Sequence, residues 1–197
     1  YSSITNLPIH WTLPYTRNCA GLSVATSSDG GKTWHKSEQN PILEGEPEGV
    51  VVTGFRDPFL SEWPAMDELR GEVSLYGFVS GGVLDGGPTV FIYAISPNDL
   101  TQWTYLGPLV DLPAGFSPSG RWGGDFGVNW ECVNFMTLHN ESDECPFLLM
   151  GTEGGVKPGA KENNSQWSLW MAGSLEQTSQ GPRMKPEFSG ILDHGCL

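Results

Sequence analysis

Positive charge is scarce in this chain. Its 197 residues include 10 Lys and Arg against 23 Asp and Glu, a formal net charge of −13. Such a surface repels nucleic-acid phosphates and anionic membranes, which argues against both as partners and suits a neutral ligand or acidic surroundings. Long apolar runs are missing too, since none approaches the roughly 20 residues that span a bilayer. Cysteine is sparse. Cys19, Cys132, Cys145 and Cys196 are widely and irregularly spaced, which is neither a zinc pattern nor a dense disulfide framework. No motif calls for a metal or an organic cofactor. No basic segment followed by an apolar one opens the chain at Tyr1, as expected of a processed chain or of a piece of a longer one.

Helical patterning is almost absent. With 26 glycines and 15 prolines, little room is left for uninterrupted helices. Pro64–Arg70 has room for one helical turn and no more. What is abundant is short, β-branched or aromatic runs bounded by turn residues: Val50–Phe55, Val73–Val79, Thr89–Ile95, Cys132–Leu138 and Phe147–Gly151. These read as strands. Hydrophobic content of 38% with 17% charged residues suits a globular chain with a sizeable core. The class is all-β.

A weak internal repeat sharpens this. Ser27-Ser28-Asp29-Gly30-Gly31-Lys32-Thr33-Trp34 resembles an Asp-box, a turn found in propeller blades. Its Asp accepts backbone N–H bonds, Gly permits positive φ, and Trp plugs the space between strands. Ser96-Pro97-Asn98-Asp99-Leu100-Thr101-Gln102-Trp103 repeats the outline, with Asn98 where the Asp should stand. The copies lie further apart than one compact blade of roughly 40 to 50 residues. Inserted loops explain the excess, and Glu44–Gly49 looks like part of one.

Two segments carry the chemistry. Gly54-Phe55-Arg56-Asp57-Pro58-Phe59 and Trp130-Glu131-Cys132-Val133-Asn134-Phe135 each set one carboxylate among bulky apolar neighbours. Burial there disfavours the charged form and raises a carboxyl pKa. Two such groups are the kit for breaking a glycosidic bond. Arg56-Asp57-Pro58 is expected to end the strand Val50–Phe55, because Pro58 cannot continue the ladder. Glu131 is expected to begin the next strand, so both side chains reach a propeller's central cavity. The structural alternatives stay open: Asp57 as a turn residue paired with Arg56, and Glu131 as a solvated strand-edge carboxylate.

Together, in this order, Phe55-Arg56-Asp57-Pro58 and Trp130-Glu131-Cys132 resemble two signatures of the invertase, inulinase and fructosyltransferase family, glycoside hydrolase family 32. The stretch Gly123–Phe135 is most similar to fungal secreted members. The resemblance implies a five-bladed β-propeller followed by a β-sandwich, with residues 1–197 forming about three blades of the catalytic propeller, truncated at both ends. It implies Glu131 as general acid/base and Asp57 as transition-state stabiliser. Arg56 is then a donor to the sugar and Glu153 a further pocket carboxylate. Cys132 is expected as a small buried neighbour. The implied ligand is sucrose or a fructo-oligosaccharide, with no cofactor.

The family's nucleophile is an Asp in an Asn-Asp-Pro segment, and this sequence has none. Tyr1-Ser2-Ser3 resembles the strand after that segment, and Leu192–Leu197 resembles the start of a further blade. The remaining part of the same enzyme is therefore the expected partner. Two glycosylation acceptors, Asn140-Glu141-Ser142 and Asn163-Asn164-Ser165, favour a secreted protein. Two other classes remain open. One is a sialidase-like propeller, disfavoured by few arginines and by the acidic charge. The other is a non-catalytic sugar-binding propeller, favoured by the missing nucleophile.

Overall fold

The computed structural model describes residues 1–7, 13–119, 123–141, 143–154 and 167–193. Two four-stranded antiparallel sheets dominate. The first is the meander β5 (Val52–Glu62), β6 (Leu75–Val83), β7 (Pro88–Ser96) and β8 (Asp99–Pro108). The second is β9 (Asn129–His139), β10 (Glu144–Glu153), β11 (Ser168–Thr178) and β12 (Gly181–Asp193). Before them stand the short pairs β1 (Ser2–Ile4) with β2 (Ala20–Leu22), and β3 (Ala25–Thr26) with β4 (His35–Lys36).

The sheets stack face to face. Both faces of the first are covered, which is why β6 and β7 are buried at nearly every position rather than at alternate ones. One face packs Tyr76, Phe78, Val90 and Ile92 against Trp130, Val133, Phe135 and Leu148 of the second sheet. Phe78 stacks on Phe135 at 4.5 Å between ring centroids. The other face packs Val52, Phe55, Val79, Phe91 and Tyr93 around Leu22 of the N-terminal unit. The first strands of the two large sheets, β5 and β9, are neighbours. This is the blade arrangement expected of a propeller, with innermost strands side by side.

Several local expectations need correction. Pro58 does not end its strand. β5 runs on to Glu62, and the ladder steps over Asp57 between the pairs Arg56↔Ser80 and Pro58↔Val79. The extra residue takes positive φ, 58° at Asp57. β5 is an edge strand of its sheet, where a missing N–H is tolerated and a bulge re-aims a side chain. The helix α1 (Pro64–Arg70) has seven residues, about two turns. Pro64 starts it, Gly71 at φ 70° closes it, and Asp67 accepts bonds from Ser74 N–H and the Tyr76 hydroxyl.

Asp29 behaves as an Asp-box carboxylate. It accepts N–H bonds from Lys32 and Thr33 and hydroxyl bonds from Thr33 and Ser27. Those bonds, Thr33's first, hold its carboxyl down at about 2. Trp34 does not plug a gap between strands. It is 63% exposed, with its indole N–H donated to the Gly31 carbonyl. In the second copy Asp99, not Asn98, takes the acceptor role, toward Thr101. There the Trp does pack: Trp103 sits against Tyr93, and its ring occupies the space a side chain at Gly77 would need. The expected loop at Glu44–Gly49 is anchored by buried Glu46, which accepts the Asn18 N–H.

Strands β8, β11 and β12 were not expected, because their apolar residues are diluted by polar ones. Leu192 and Asp193 end β12 rather than start a blade, and residues 194–197 lie outside the described residues.

Candidate active site

Three carboxylates and one guanidinium meet where β5, β9 and β10 adjoin. Arg56 Nη2 donates to Glu131 Oε2 at 3.1 Å and to Glu153 Oε2 at 2.6 Å. Its Nε lies 3.5 Å from Asp57 Oδ2. Each contact follows from local geometry. Asp57 is the bulged residue of β5, and Arg56 precedes it. Glu131 is the third residue of β9 and pairs with Gly151 of β10. A Cβ at Gly151 would press on Glu131 Cγ at 3.1 Å, so glycine there leaves the carboxyl its space. Glu153 ends β10 opposite Asn129.

Burial grades across the cluster. Side-chain exposure is 9% at Glu153, 14% at Arg56, 30% at Asp57 and 32% at Glu131. Glu131 and Asp57 are the two carboxylates open to a ligand. Desolvation raises the Glu131 pKa above the ordinary carboxyl value, the Glu153 charge raises it further, and Arg56 opposes both. Burial disfavours the Arg56 charge, yet Glu153, Glu131 and Asp57 outweigh it and hold the guanidinium charged. The cluster therefore offers a half-buried carboxyl with a raised pKa, joined through one fixed guanidinium to a second, more deeply buried glutamate.

All four expected site residues, Arg56, Asp57, Glu131 and Glu153, are brought together. Cys132 is not buried as expected but exposed. The chain turns at φ 50° there, and its N–H donates to Asp57 Oδ2 at 3.2 Å. Desolvation and the carboxylates of Asp57 and Glu131 push the thiol pKa up, the reverse of what a nucleophilic thiolate needs. Asn140 lies in an exposed turn after β9, at the other end of that strand from Glu131, and bonded to Asp143. Asn163 lies outside the described residues. Among the described residues no group of three or more His, Cys, Asp or Glu is arranged to hold a metal.

Residue-by-residue reading missed the supports. Thr53 Oγ1 donates to Asn129 Oδ1 at 3.0 Å, and Asn129 Nδ2 donates to Glu153 Oε2 at 2.7 Å. Below the cluster, buried Ser80 accepts the Val133 N–H at 2.9 Å and reaches the Asp57 carbonyl at 3.5 Å. Ser2 of β1 accepts the Asp57 N–H at 2.8 Å. The one signal in the sequence was position, since Asn129 stands two residues before Glu131 and Thr53 three before Arg56. An apolar cavity of about 450 Å³ between the N-terminal unit and the first sheet is lined by Trp34, Trp103, Leu22 and Leu60. No carboxylate is among its lining residues.

Paired carboxylates stand at the adjoining innermost strands of two face-to-face sheets, in the blade arrangement of a propeller. The chain belongs to the glycosyl hydrolases family 32, matching that family's N-terminal domain over residues 2–196. It is similar to the Aspergillus kawachii β-fructofuranosidase solved with glycerol, at 34% identity and a TM-score of 0.88, over 98% of this chain and 33% of that one. It is also similar to the wild-type fructosyltransferase from A. japonicus, at 31% identity and a TM-score of 0.85, over 98% of this chain and 36% of that one. The chain thus spans about a third of the length of these structures. None of the curated proteins matches it.

Proposed function

We propose that this chain carries the acid/base and the stabilising carboxylate of a retaining enzyme acting on the fructosyl bond of sucrose and related fructosides. The observation that carries the reading is Arg56 held between Glu131 and Glu153 and beside Asp57. In the first step Glu131 gives its proton to the leaving glucosyl oxygen as the bond to the fructosyl carbon breaks. A nucleophilic carboxylate takes that carbon and forms the fructosyl-enzyme. In the second step ionised Glu131 removes a proton from water or a sugar hydroxyl, which displaces the enzyme carboxylate. Asp57 holds fructose hydroxyls and favours the oxocarbenium-like transition state, and Arg56 and Glu153 bind and orient the sugar.

The nucleophile comes from a further part of the same enzyme, because no Asn-Asp-Pro occurs in residues 1–197. Secretion with a glycan on Asn140 fits its exposed turn. A sialidase-like reading is disfavoured: one guanidinium among three carboxylates repels an anionic sugar. The test is sucrose turnover by the intact enzyme. Glu131→Gln should lower it by roughly 10²–10⁴-fold, with partial recovery of the second step by azide, which needs no base. Near-normal turnover would remove Glu131 from the mechanism, and turnover of sialyl-lactose instead of sucrose would replace the substrate class.

A further inference from the structure

Asn129 is fully buried, and both polar atoms of its amide have partners. Nδ2 faces two acceptors, the Glu153 carboxylate at 2.7 Å and the Trp130 carbonyl at 3.2 Å, while Oδ1 receives the Thr53 hydroxyl at 3.0 Å. The reverse orientation would set an oxygen against two acceptors, so the network admits one amide orientation only. Gly54 is part of the same device. A Cβ there would lie 2.6 Å from Asn129 Oδ1 and 2.9 Å from Nδ2. The amide thus occupies space that only glycine in β5 leaves open.

What Asn129 holds is Glu153. Oε2 of Glu153 receives two donors, Asn129 Nδ2 and Arg56 Nη2, and the same Nη2 reaches Glu131. The position of Glu153 therefore decides how Arg56 is shared between the two glutamates. Resting on the role assigned to Glu131 above, we propose that Asn129 is a positioning residue which, by locking Glu153 in place, sets the pH at which Glu131 gives up its proton. Asn129 does not touch the reacting atoms. It acts through the Glu153 charge and the Arg56 guanidinium.

The charged groups around Glu131 are few. β5 contributes Arg56 and Asp57, β10 contributes Glu153, and β9 itself adds the Cys132 thiol. β6 contributes only the Ser80 hydroxyl, and β6 and β7 carry no carboxylate or basic side chain. Their phenols are engaged elsewhere, Tyr76 with Asp67 and Tyr93 in the core on the opposite face. β1 contributes the Ser2 hydroxyl through Asp57. If Glu153 loses its amide anchor, its repulsion of Glu131 weakens and Arg56 is freed to pair with Glu131. Both changes favour ionised Glu131, so the acid is lost at lower pH.

The experiment is the pH dependence of kcat/KM on sucrose in the intact enzyme. Asn129→Leu, close in volume but without donor or acceptor, should move the basic limb down by about one pH unit. In a Glu153→Gln background the same substitution should move it no further, because the group it acts through is already neutral. Thr53→Val, which removes the hydroxyl shared by Asn129 Oδ1 at 3.0 Å and the Val128 carbonyl at 3.2 Å, should move the limb the same way by less. It serves as the test should Asn129→Leu fail to fold. An unmoved limb in a folded Asn129→Leu, or in Thr53→Val if that is the variant that folds, overturns the proposal. So does an equal shift in the Glu153→Gln background. Glu131→Gln separates this from the reading beneath it. A basic limb that survives Glu131→Gln sinks the acid assignment itself. One that vanishes there yet stays fixed in Asn129→Leu sinks only the role of Asn129.

Discussion

Asp57 and Cys132 face each other across the junction of two sheets, each with positive φ, and the Cys132 N–H donates to Asp57 Oδ2 at 3.2 Å. Cys132 is of a type that disfavours the left-handed region, at a cost of roughly 1–3 kcal/mol, whereas aspartate tolerates it better. The surrounding bonds hold them there: Ser2 Oγ takes the Asp57 N–H, and Ser80 bridges Asp57 O and Val133 N–H. The strain aims Asp57 Oδ2 between the Arg56 guanidinium and the Cys132 amide. It ties the Asp57 carboxylate to the residue that follows Glu131.

The first prediction tests that relationship. The backbone of Cys132, rather than its thiol, should matter. Cys132→Gly should keep most of the activity, because glycine adopts positive φ freely. Cys132→Val should lose about 1–2 kcal/mol of stability relative to the glycine variant, since a β-branched side chain is strained there. Thermal melts and sucrose kinetics on both variants would show it. Equal behaviour of Gly and Val would mean that the left-handed turn at 132 is not maintained.

A second prediction concerns Asp57. Its hydroxyl contacts should strengthen as the fructosyl ring flattens, so its loss falls on the transition state. Asp57→Asn should lower kcat by roughly 10²–10³-fold with little change in KM. A change confined to KM would reduce Asp57 to a ground-state positioning group. Unchanged kinetics would make it a turn residue paired with Arg56.

The third follows from the Glu131 pKa, raised first by desolvation and then by Glu153. Because the folded value lies above the unfolded one, the protonated form is favoured on folding. That contribution to stability is present below the unfolded pKa and is lost as pH rises through the folded one. Glu131→Gln removes the titration. The melting temperature of the variant relative to wild type should therefore rise with pH over that window. A difference that stays constant with pH would mean that Glu131 titrates as an ordinary exposed carboxyl.

A fourth prediction uses the space around Asn129. Gly54→Ala places a methyl 2.6 Å from Asn129 Oδ1, an overpacking expected to cost about 1–3 kcal/mol. It should also displace the amide and move the basic limb of kcat/KM down, in the same direction as Asn129→Leu. Denaturant unfolding and a pH profile would check both effects. A neutral substitution would mean that the amide has room to shift without disturbing Glu153.

The sequence by itself determined the class and much of the site. Runs of β-branched and aromatic residues between glycines and prolines located β5, β6, β7, β9 and β10, because strand preference and turn chemistry act over a few residues. Arg56, Asp57 and Glu131 were legible because each stands in a short motif at or near a strand. Only the tertiary structure decided the rest. It showed β5 passing over Pro58 by a bulge at Asp57, because an edge strand tolerates a missing N–H. It also showed Cys132 turned outward and Trp34 left exposed. Above all it brought Arg56 to Glu131, 75 residues away, and to Glu153, 97 residues away, and set Asn129 and Thr53 between them. No local pattern encodes such contacts. They exist because two sheets pack face to face on shared aromatic side chains, which places their first strands side by side and turns scattered polar residues into one network.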